Sequence, residues 1–436
     1  MTQRLVPITI LLFSLALTGC GLSKSSPQTT VAPAVGVRTT GAVHGGQQPV
    51  ANSTIQLYEI GNAGYFAPAR PMLAQVTTTN SSGVFFVSED YTCTAGNQIY
   101  LTSTGGNPGL AAGTNNSALA LMAPLGECSY LLANRANIFL NLNEVTTIVT
   151  AWSLSRFMSS PTNAGTSSGN SVGLANAFAN ITNVVNLQTG TLPGPTLPAG
   201  ATVPIAEIYT LANILATCIN SDGNLSQGSP CTQLFVAATP PGGVAPSDTI
   251  TAALNMARNP TQNVSALYNL PLPTPPFEPT LLFAPDNWLI GIHFTGGGLS
   301  QPAALAVDGA GNVWTANVGN NSVSLFTATG AALSPTTGFT DTSLAQPSAI
   351  AIDSAGNAWV ANAGGTSLTS FTPAGTVSRT LATNLSSPNG IAFDGSGNGW
   401  VLSPGTSALV EFGSNQAFLQ QIPLSTLPSA IAINPK

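Results

Sequence analysis

The spacing of apolar positions changes character along the chain. In residues 38–105, short runs rich in β-branched and aromatic residues alternate with Gly, Asn, Ser and Pro. Residues 40–46, 47–58, 75–87 and 98–103 are such runs, and the turn signals between them predict a small β-sandwich over residues 38–130. Over residues 131–270 the period becomes helical. Val145, Ile148, Val149, Trp152 and Phe157 fall on one helical face behind Asn143, a candidate N-cap. Residues 171–187 and 205–219 repeat the style. Residues 247–258 make a fourth helix, with Ser247 as cap and Pro260 just beyond its end. Gly-, Ser- and Pro-rich stretches at 159–170 and 188–204 separate the helices. The expectation is a helical subdomain of four or five short helices, with Tyr209, Leu211, Ile214 and Leu215 in its core. Residues 271–279, PLPTPPFEP, form a Pro-rich linker.

Beyond the linker, over residues 280–436, the sequence repeats. Pro302, Pro347, Pro388 and Pro428 recur at intervals of 45, 41 and 40 residues. Six residues after each stand Asp308, Asp353, Asp394 and Asn434. Twelve residues after the first three stand Trp314, Trp359 and Trp400, and twenty-four after them Phe326, Phe371 and Phe412. A period of about 40–45 residues with strand-like runs and a Trp predicts propeller blades. In the second unit, residues 348–352 read as a strand and residues 353–357, DSAGN, as a tight turn. The Asp accepts turn N–H groups there, and Gly356 or Asn357 takes a positive φ. Residues 358–362 and 367–371 are the next strands, Trp359 packs between blades, and residues 373–375, PAG, turn into an outer strand.

The expected architecture is therefore multidomain and mainly β: a small sandwich, a helical subdomain, then three complete blades and a partial fourth. Three blades cannot close a ring, since propellers have about four to eight. Residues 280–284 and 288–294 flank Pro285-Asp286-Asn287 and read as a hairpin. Residues 429–433 would join it and complete a fourth blade as a terminal clasp. The alternative is an open arc with exposed strand edges.

Composition narrows the partners. The 436 residues suggest two to three domains. Only 6% are charged and the net charge is −6, against roughly 25% charged in a typical soluble protein. No Lys/Arg cluster exists, so nucleic acid and anionic membrane surfaces are excluded as electrostatic partners. Four cysteines lie within the body of the chain, Cys93, Cys128, Cys218 and Cys231. An even count in an exported chain suggests disulfides, and sequence allows three connectivities. The neighbour pairing, Cys93 with Cys128 and Cys218 with Cys231, is favoured, because the second bond would staple residues 219–230. Zinc would need closer Cys pairs or accompanying His, and both are missing.

Three stretches resemble known families. Arg4 precedes an apolar run, residues 5–17, that ends in Leu17-Thr18-Gly19-Cys20. This resembles a bacterial lipoprotein signal. It implies a signal peptide over 1–19, lipidation of Cys20 and a flexible tether over 20–37. Gly21 in place of an Asp favours the outer membrane. Residues 41–58 and 79–85 carry G-x-V-x-G-G-x-x-P-V-x-x-x-x-I-x-L-Y and T-x-x-S-G-x-F. They resemble the carboxypeptidase-regulatory-like (transthyretin-like) domain, a stalk or spacer, which makes His44 and Glu59 surface residues. The motif P-x-x-[IL]-A-[VIF]-D-x-x-G-N-x-W, at 302–314, 347–359 and 388–400, resembles the NHL repeat and the repeats of streptogramin lyases. It implies a propeller and leaves function open, because such propellers bind, scaffold and catalyse.

Two functions follow. One is a non-enzymatic, envelope-anchored binding or scaffold lipoprotein whose repeats contact an exported protein or a neutral glycan, with no cofactor. The alternative is a propeller enzyme of the streptogramin lyase or lactonase type, dependent on a divalent metal. His293 and Glu411 would then be the groups to test, since most other carboxylates of the repeats belong to turns. With two His in the chain, a Ser–His–acid triad has little to draw on. Gly296-Gly297-Gly298-Leu299 lacks the Lys and helix of a phosphate loop. No catalytic or metal-binding residue is assigned.

Overall fold

The computed structural model describes residues 34–35, 39–87, 91–133, 138–270, 274–382 and 384–433. The signal peptide, Cys20, almost all of the tether and Asn434 lie outside the described residues. The alternating N-terminal runs form two sheets. In the five-stranded sheet, Ala120–Glu127, Gln98–Thr104, Thr54–Glu59 and Arg70–Pro71 lie in that order, and Thr77–Thr78 also pairs with Thr54–Glu59. In the four-stranded sheet, Thr39–Gly45 pairs with Val84–Val87, Gln48–Pro49 and Ile138–Leu142. The last of these runs parallel to it, with Ile138 opposite Thr39. This strand opens the stretch expected to be helical. Its alternation is the reason: Leu140 and Leu142 enter the core while Phe139, just before them, stays exposed.

The helices are α1 (Cys128–Ala133), α2 (Glu144–Leu154), α3 (Ser171–Val184), α4 (Ile205–Ile219), α5 (Pro230–Ala237), α6 (Thr249–Arg258) and α7 (Val264–Tyr268). At the start of α2 the Asn143 side chain accepts the Thr146 N–H at 2.9 Å, and the Thr146 hydroxyl accepts the Asn143 N–H at 3.0 Å, a reciprocal cap. α6 is capped by Asp248 and not Ser247: its carboxylate accepts the Thr251 N–H at 2.8 Å and the Thr251 hydroxyl at 2.7 Å. A carboxylate one residue on outcompetes the hydroxyl because it accepts both donors at once.

Sheets and helices share one core that runs from Val43 to Trp288 and includes Leu57, Leu101, Ile148, Leu211 and Leu254. The boundary expected at residue 130 falls inside α1, and the packing is continuous across it. Two disulfides cross this body, Cys93–Cys128 and Cys218–Cys231. Glu59 is not a surface residue. It is 2% exposed, ion-paired with Arg70, and accepts from the Thr94 N–H at 3.0 Å and Asn97 Nδ2 at 2.7 Å. Burial pushes its carboxyl up, and the hydrogen bonds from Asn97, Thr94 and Arg70 outweigh that and hold it low.

The described part of the Pro-rich segment is docked. Phe277 is buried against the body, and its N–H and C=O both bond the Asn213 side chain, at 3.1 and 2.9 Å. The hairpin expected at 280–294 is absent: no strand forms there. Trp288 is drawn into the body instead. Its N–H bonds Pro260 O at 2.9 Å, and its C=O accepts Trp152 Nε1 at 2.8 Å. Burying a whole indole outweighs the few hydrogen bonds of an isolated two-stranded hairpin.

The repeats form three four-stranded antiparallel sheets. Blade one is Pro302–Val307, Val313–Asn317, Ser322–Phe326 and Phe339–Thr340. Blade two is Pro347–Ile352, Ala358–Asn362, Leu368–Phe371 and Val377–Leu381. Blade three is Gly390–Phe393, Gly399–Ser403, Ala408–Phe412 and Phe418–Pro423. Two cores join them, one between blades one and two and one between blades two and three. Residues 428–433 form no strand, so the terminal clasp does not form and the three blades make an open arc.

Candidate functional site

Each repeat Asp anchors its own turn. Asp308 Oδ1 accepts the N–H groups of Ala310 and Asn312, both at 2.9 Å. Its Oδ2 accepts Asn312 Nδ2 at 3.0 Å and Trp314 Nε1 at 3.3 Å. Asp353 makes the same four bonds, to Ala355 and Asn357 N–H at 2.9 and 2.8 Å, Asn357 Nδ2 at 2.9 Å and Trp359 Nε1 at 2.8 Å. Asp394 binds the N–H groups of Ser396 and Asn398 at 2.9 Å and Trp400 Nε1 at 3.1 Å. The bond from Trp400, with those from the turn, holds the Asp394 carboxyl below its usual range. Gly356 takes φ +84, a region that favours glycine. The turn sequence thus has one physical content: the Asp closes the turn and orients the Trp six residues later. In blade three the Asn departs. Asn398 Nδ2 reaches Glu411 Oε1 at 3.3 Å, and Gln420 Nε2 donates to Glu411 Oε2 at 2.6 Å.

A second polar device passed unnoticed in the sequence. Three residues after each Trp stand Asn317, Asn362 and Ser403, all buried. Asn362 Oδ1 accepts the Ala345 N–H at 3.3 Å, and its Nδ2 donates to Ser367 Oγ at 3.1 Å and Thr369 Oγ1 at 3.0 Å. Asn317 does the same with Ser300, Ser322 and Ser324. Ser403 Oγ accepts the Ser386 N–H at 2.8 Å. These residues tie the loop leading into each blade to its central strands. Their constant offset from the Trp is the signal that would have found them.

The two ends of the arc differ from its interior. Trp314 and Trp359 are 0% and 3% exposed. Phe339 lies 6.3 Å from both Trp314 and Phe371, and Phe393 lies 6.3 Å from Trp359. Trp400, at the same position in blade three, is only half-buried. Leu305, Ile350 and Ile391 each stand three residues after a repeat Pro. Ile350 and Ile391 are 7% and 8% exposed because a preceding blade covers them, whereas Leu305 is 66% exposed. Ile431 has the same offset from Pro428. Its Cγ2 lies 3.2 Å from the point where a Cβ on Gly390 would sit. Ile431 thus packs beside the inner strand of blade three, while residues 428–433 form no strand. At the other end, Phe294 packs against Gly330 as Phe339 packs against Gly375. Residue 293 pairs with Thr202 through N–H···O bonds of 2.9 Å in both directions. This isolated bridge holds the segment leading into blade one against the body, and α3 supports the same blade. There Asn180 Nδ2 donates to Ala328 O at 2.9 Å and Asn183 Nδ2 to Thr329 O at 2.8 Å.

The groups named for an enzyme do not converge. His293 sits in the loop paired with Thr202, before blade one. Glu411 is buried in blade three and taken up by Asn398 and Gln420. Among the described residues, no group of three or more His, Cys, Asp or Glu could hold a metal ion. Residues 165–169, GTSSG, have the G-x-S-x-G spacing. Ser167 has φ −78 and ψ 155, ordinary extended backbone and not the strained turn of a nucleophile elbow. A cleft of about 150 Å³ opens between blades two and three, lined by Asp353, Asn357, Trp359, Phe393 and Gln416. The buried Gln416 Oε1 has no partner there.

No protein family matches this chain, and no curated protein matches it in sequence. Among solved structures it is similar to virginiamycin B lyase from Staphylococcus aureus, with 19% identity over 30% of this chain and 44% of that one, TM-score 0.27. A streptogramin B lyase matches at 17% identity over 30% and 45%, TM-score 0.28. The hydrazine synthase of Kuenenia stuttgartiensis matches at 18% over 31% and 40%, TM-score 0.26. The chain spans less than half the length of each. Likeness at this level says nothing of function, and the blade assignment rests on the strand order and stacking above.

Proposed function

We propose that this chain is a non-enzymatic binding protein of the bacterial cell envelope, held by a lipid on Cys20, whose blade arc contacts a partner at its open end. One observation carries the reading. Three equivalent tryptophans have two environments, and the half-buried one, Trp400, marks a blade face built for a neighbour that the described residues do not supply. Leu409 is half-buried beside it, and Ile422 on the outer strand is exposed. The low charge suits an exported protein or a neutral glycan. The unpaired backbone at 428–433 favours the protein, because extended chain can add as a strand.

The test is site-specific photo-crosslinking in intact cells. A crosslinker at position 409 is expected to trap an exported protein. One at Val401, which is buried between blades two and three, is expected to trap none. Trp400→Ala should abolish the adduct while the chain stays folded. Absence of adducts from position 409 would sink the reading.

A further inference from the structure

Away from the blades, a cavity of about 330 Å³ opens where the sandwich meets the helices, within the size range of small-molecule sites. Its walls come from five separate segments: residues 44–47, 141–143 and 189–191, then Tyr209, then residues 276–278, which include Glu278. Two glycines make it. Gly190 has φ +70, and a Cβ on it would lie 2.6 Å from Asn143 Nδ2. Gly46 has φ +60, and a Cβ there would meet Pro276 at 3.1 Å.

The lining is polar and held in place. Asn143 Nδ2 donates to Gly190 O at 3.0 Å, and Gln47 Nε2 to Pro276 O at 2.9 Å. Asn141 Nδ2 faces the carbonyls of Gln188 and Thr189, both at 3.4 Å. Its Oδ1 is therefore the acceptor for His44 Nδ1, 3.0 Å away. That places the proton of a neutral His44 on Nδ1 and leaves Nε2 as an acceptor. Thr189 and Thr191 share a hydroxyl bond of 2.7 Å. One wall is aromatic, Tyr209 stacked on Phe277 with ring centroids 5.8 Å apart.

This chemistry selects its ligand. No Lys or Arg lines the cavity, and Glu278 would repel an anion. An apolar ligand would strand the amides and hydroxyls. A sugar presents both things the walls ask for: a C–H face for an aromatic ring and hydroxyls that donate and accept alternately. We propose that this cavity is a binding site for a neutral saccharide, independent of the partner at the open end of the arc.

The test is saturation-transfer NMR of the full chain in detergent with glucose, galactose, mannose, N-acetylglucosamine and their β-linked disaccharides at millimolar concentration. At least one should receive saturation. His44→Ala should weaken binding about tenfold, equivalent to about 1.4 kcal/mol. Gln47→Ala, at an exposed position that should leave folding intact, should weaken it too. Trp400→Ala should leave it unchanged, which separates this site from the blade-face reading. Retention on an insoluble polymer of the same sugar would identify a wall-type glycan, and its absence a soluble sugar; both support the site. The proposal is overturned if no sugar is saturated, if binding is unchanged in both cavity variants, or if only an uncharged peptide binds there.

Discussion

The body and the blade arc are held together in opposite ways. In the body, neighbours in space are distant in sequence. Strand Ile138–Leu142 lies beside Thr39–Gly45, the Thr249 hydroxyl bonds both the N–H and the C=O of Ala120, and Trp288 docks beside Trp152. Such contacts cost loop-closure entropy, and two disulfides reduce that cost by tying 93 to 128 and 218 to 231. In the arc, each sheet is a run of adjacent hairpins, each first turn is closed by its own Asp, and blades two and three meet only neighbouring blades, while blade one also touches α3. The body resembles a single cooperative core. The arc resembles a stack whose stability is a sum of units and interfaces, and its last unit, blade three, has a neighbouring blade on one side alone.

Four experiments would break or sharpen that contrast. Trp359→Ala should cost most, about 3–5 kcal/mol, and Trp400→Ala clearly less, because only the former indole is covered on both sides. Equal losses, measured by denaturant unfolding of the two variants, would mean that blade three is capped after all. Replacing Cys93 and Cys128 by Ala opens a 35-residue loop and should cost about 3 kcal/mol. Hydrogen exchange should show the loss in the body and leave the blade amides protected; uniform deprotection would show that the two regions unfold as one.

Asp353→Ala should cost about 1–3 kcal/mol, since it leaves the Trp359 indole N–H and two turn N–H groups without their acceptor. Exchange should quicken at 355–359 first, and unchanged exchange there would refute the anchoring role. The smallest effect per unit is electrostatic. Glu144 is fully buried, Oε1 accepting the Gly46 N–H at 2.7 Å and Oε2 unpartnered. Burial pushes its carboxyl up from 4.5 to about 8. The folded state therefore keeps a proton that the unfolded chain loses above about pH 4.5, and stability falls as pH rises towards 8, by about 1.4 kcal/mol per unit. Glu144→Gln should flatten that slope without touching the arc. A slope unchanged in the Gln variant would place the titration elsewhere.

The arc was legible because its determinants are local. Pro, Asp, Gly, Asn and Trp at fixed offsets specify strand, turn and strand within about fifteen residues, and repetition exposes the pattern. Asn143 could be read as a cap for the same reason. One error is local: Ser247 lost the cap to Asp248, one residue on. The others fall where competition is long-range. Glu59, polar in a strand with no marked partner, became buried only because Arg70, Thr94 and Asn97 converge on it. The hairpin at 280–294 satisfied local rules, and the body claimed its tryptophan.

Residue order alone therefore determined the repeat units: their strands and turns, how many stand in line, and how charge-poor the chain is. Only the tertiary structure decided how those units meet. It placed Ile138–Leu142 in the sandwich, left one end of the arc uncovered, and drew His44, Asn141, Gly190 and Tyr209 around one cavity. The physical reason is that hydrogen bonds within a turn depend on residues a few positions apart. Burial of an indole or the walls of a cavity depend on every segment that can reach the same space.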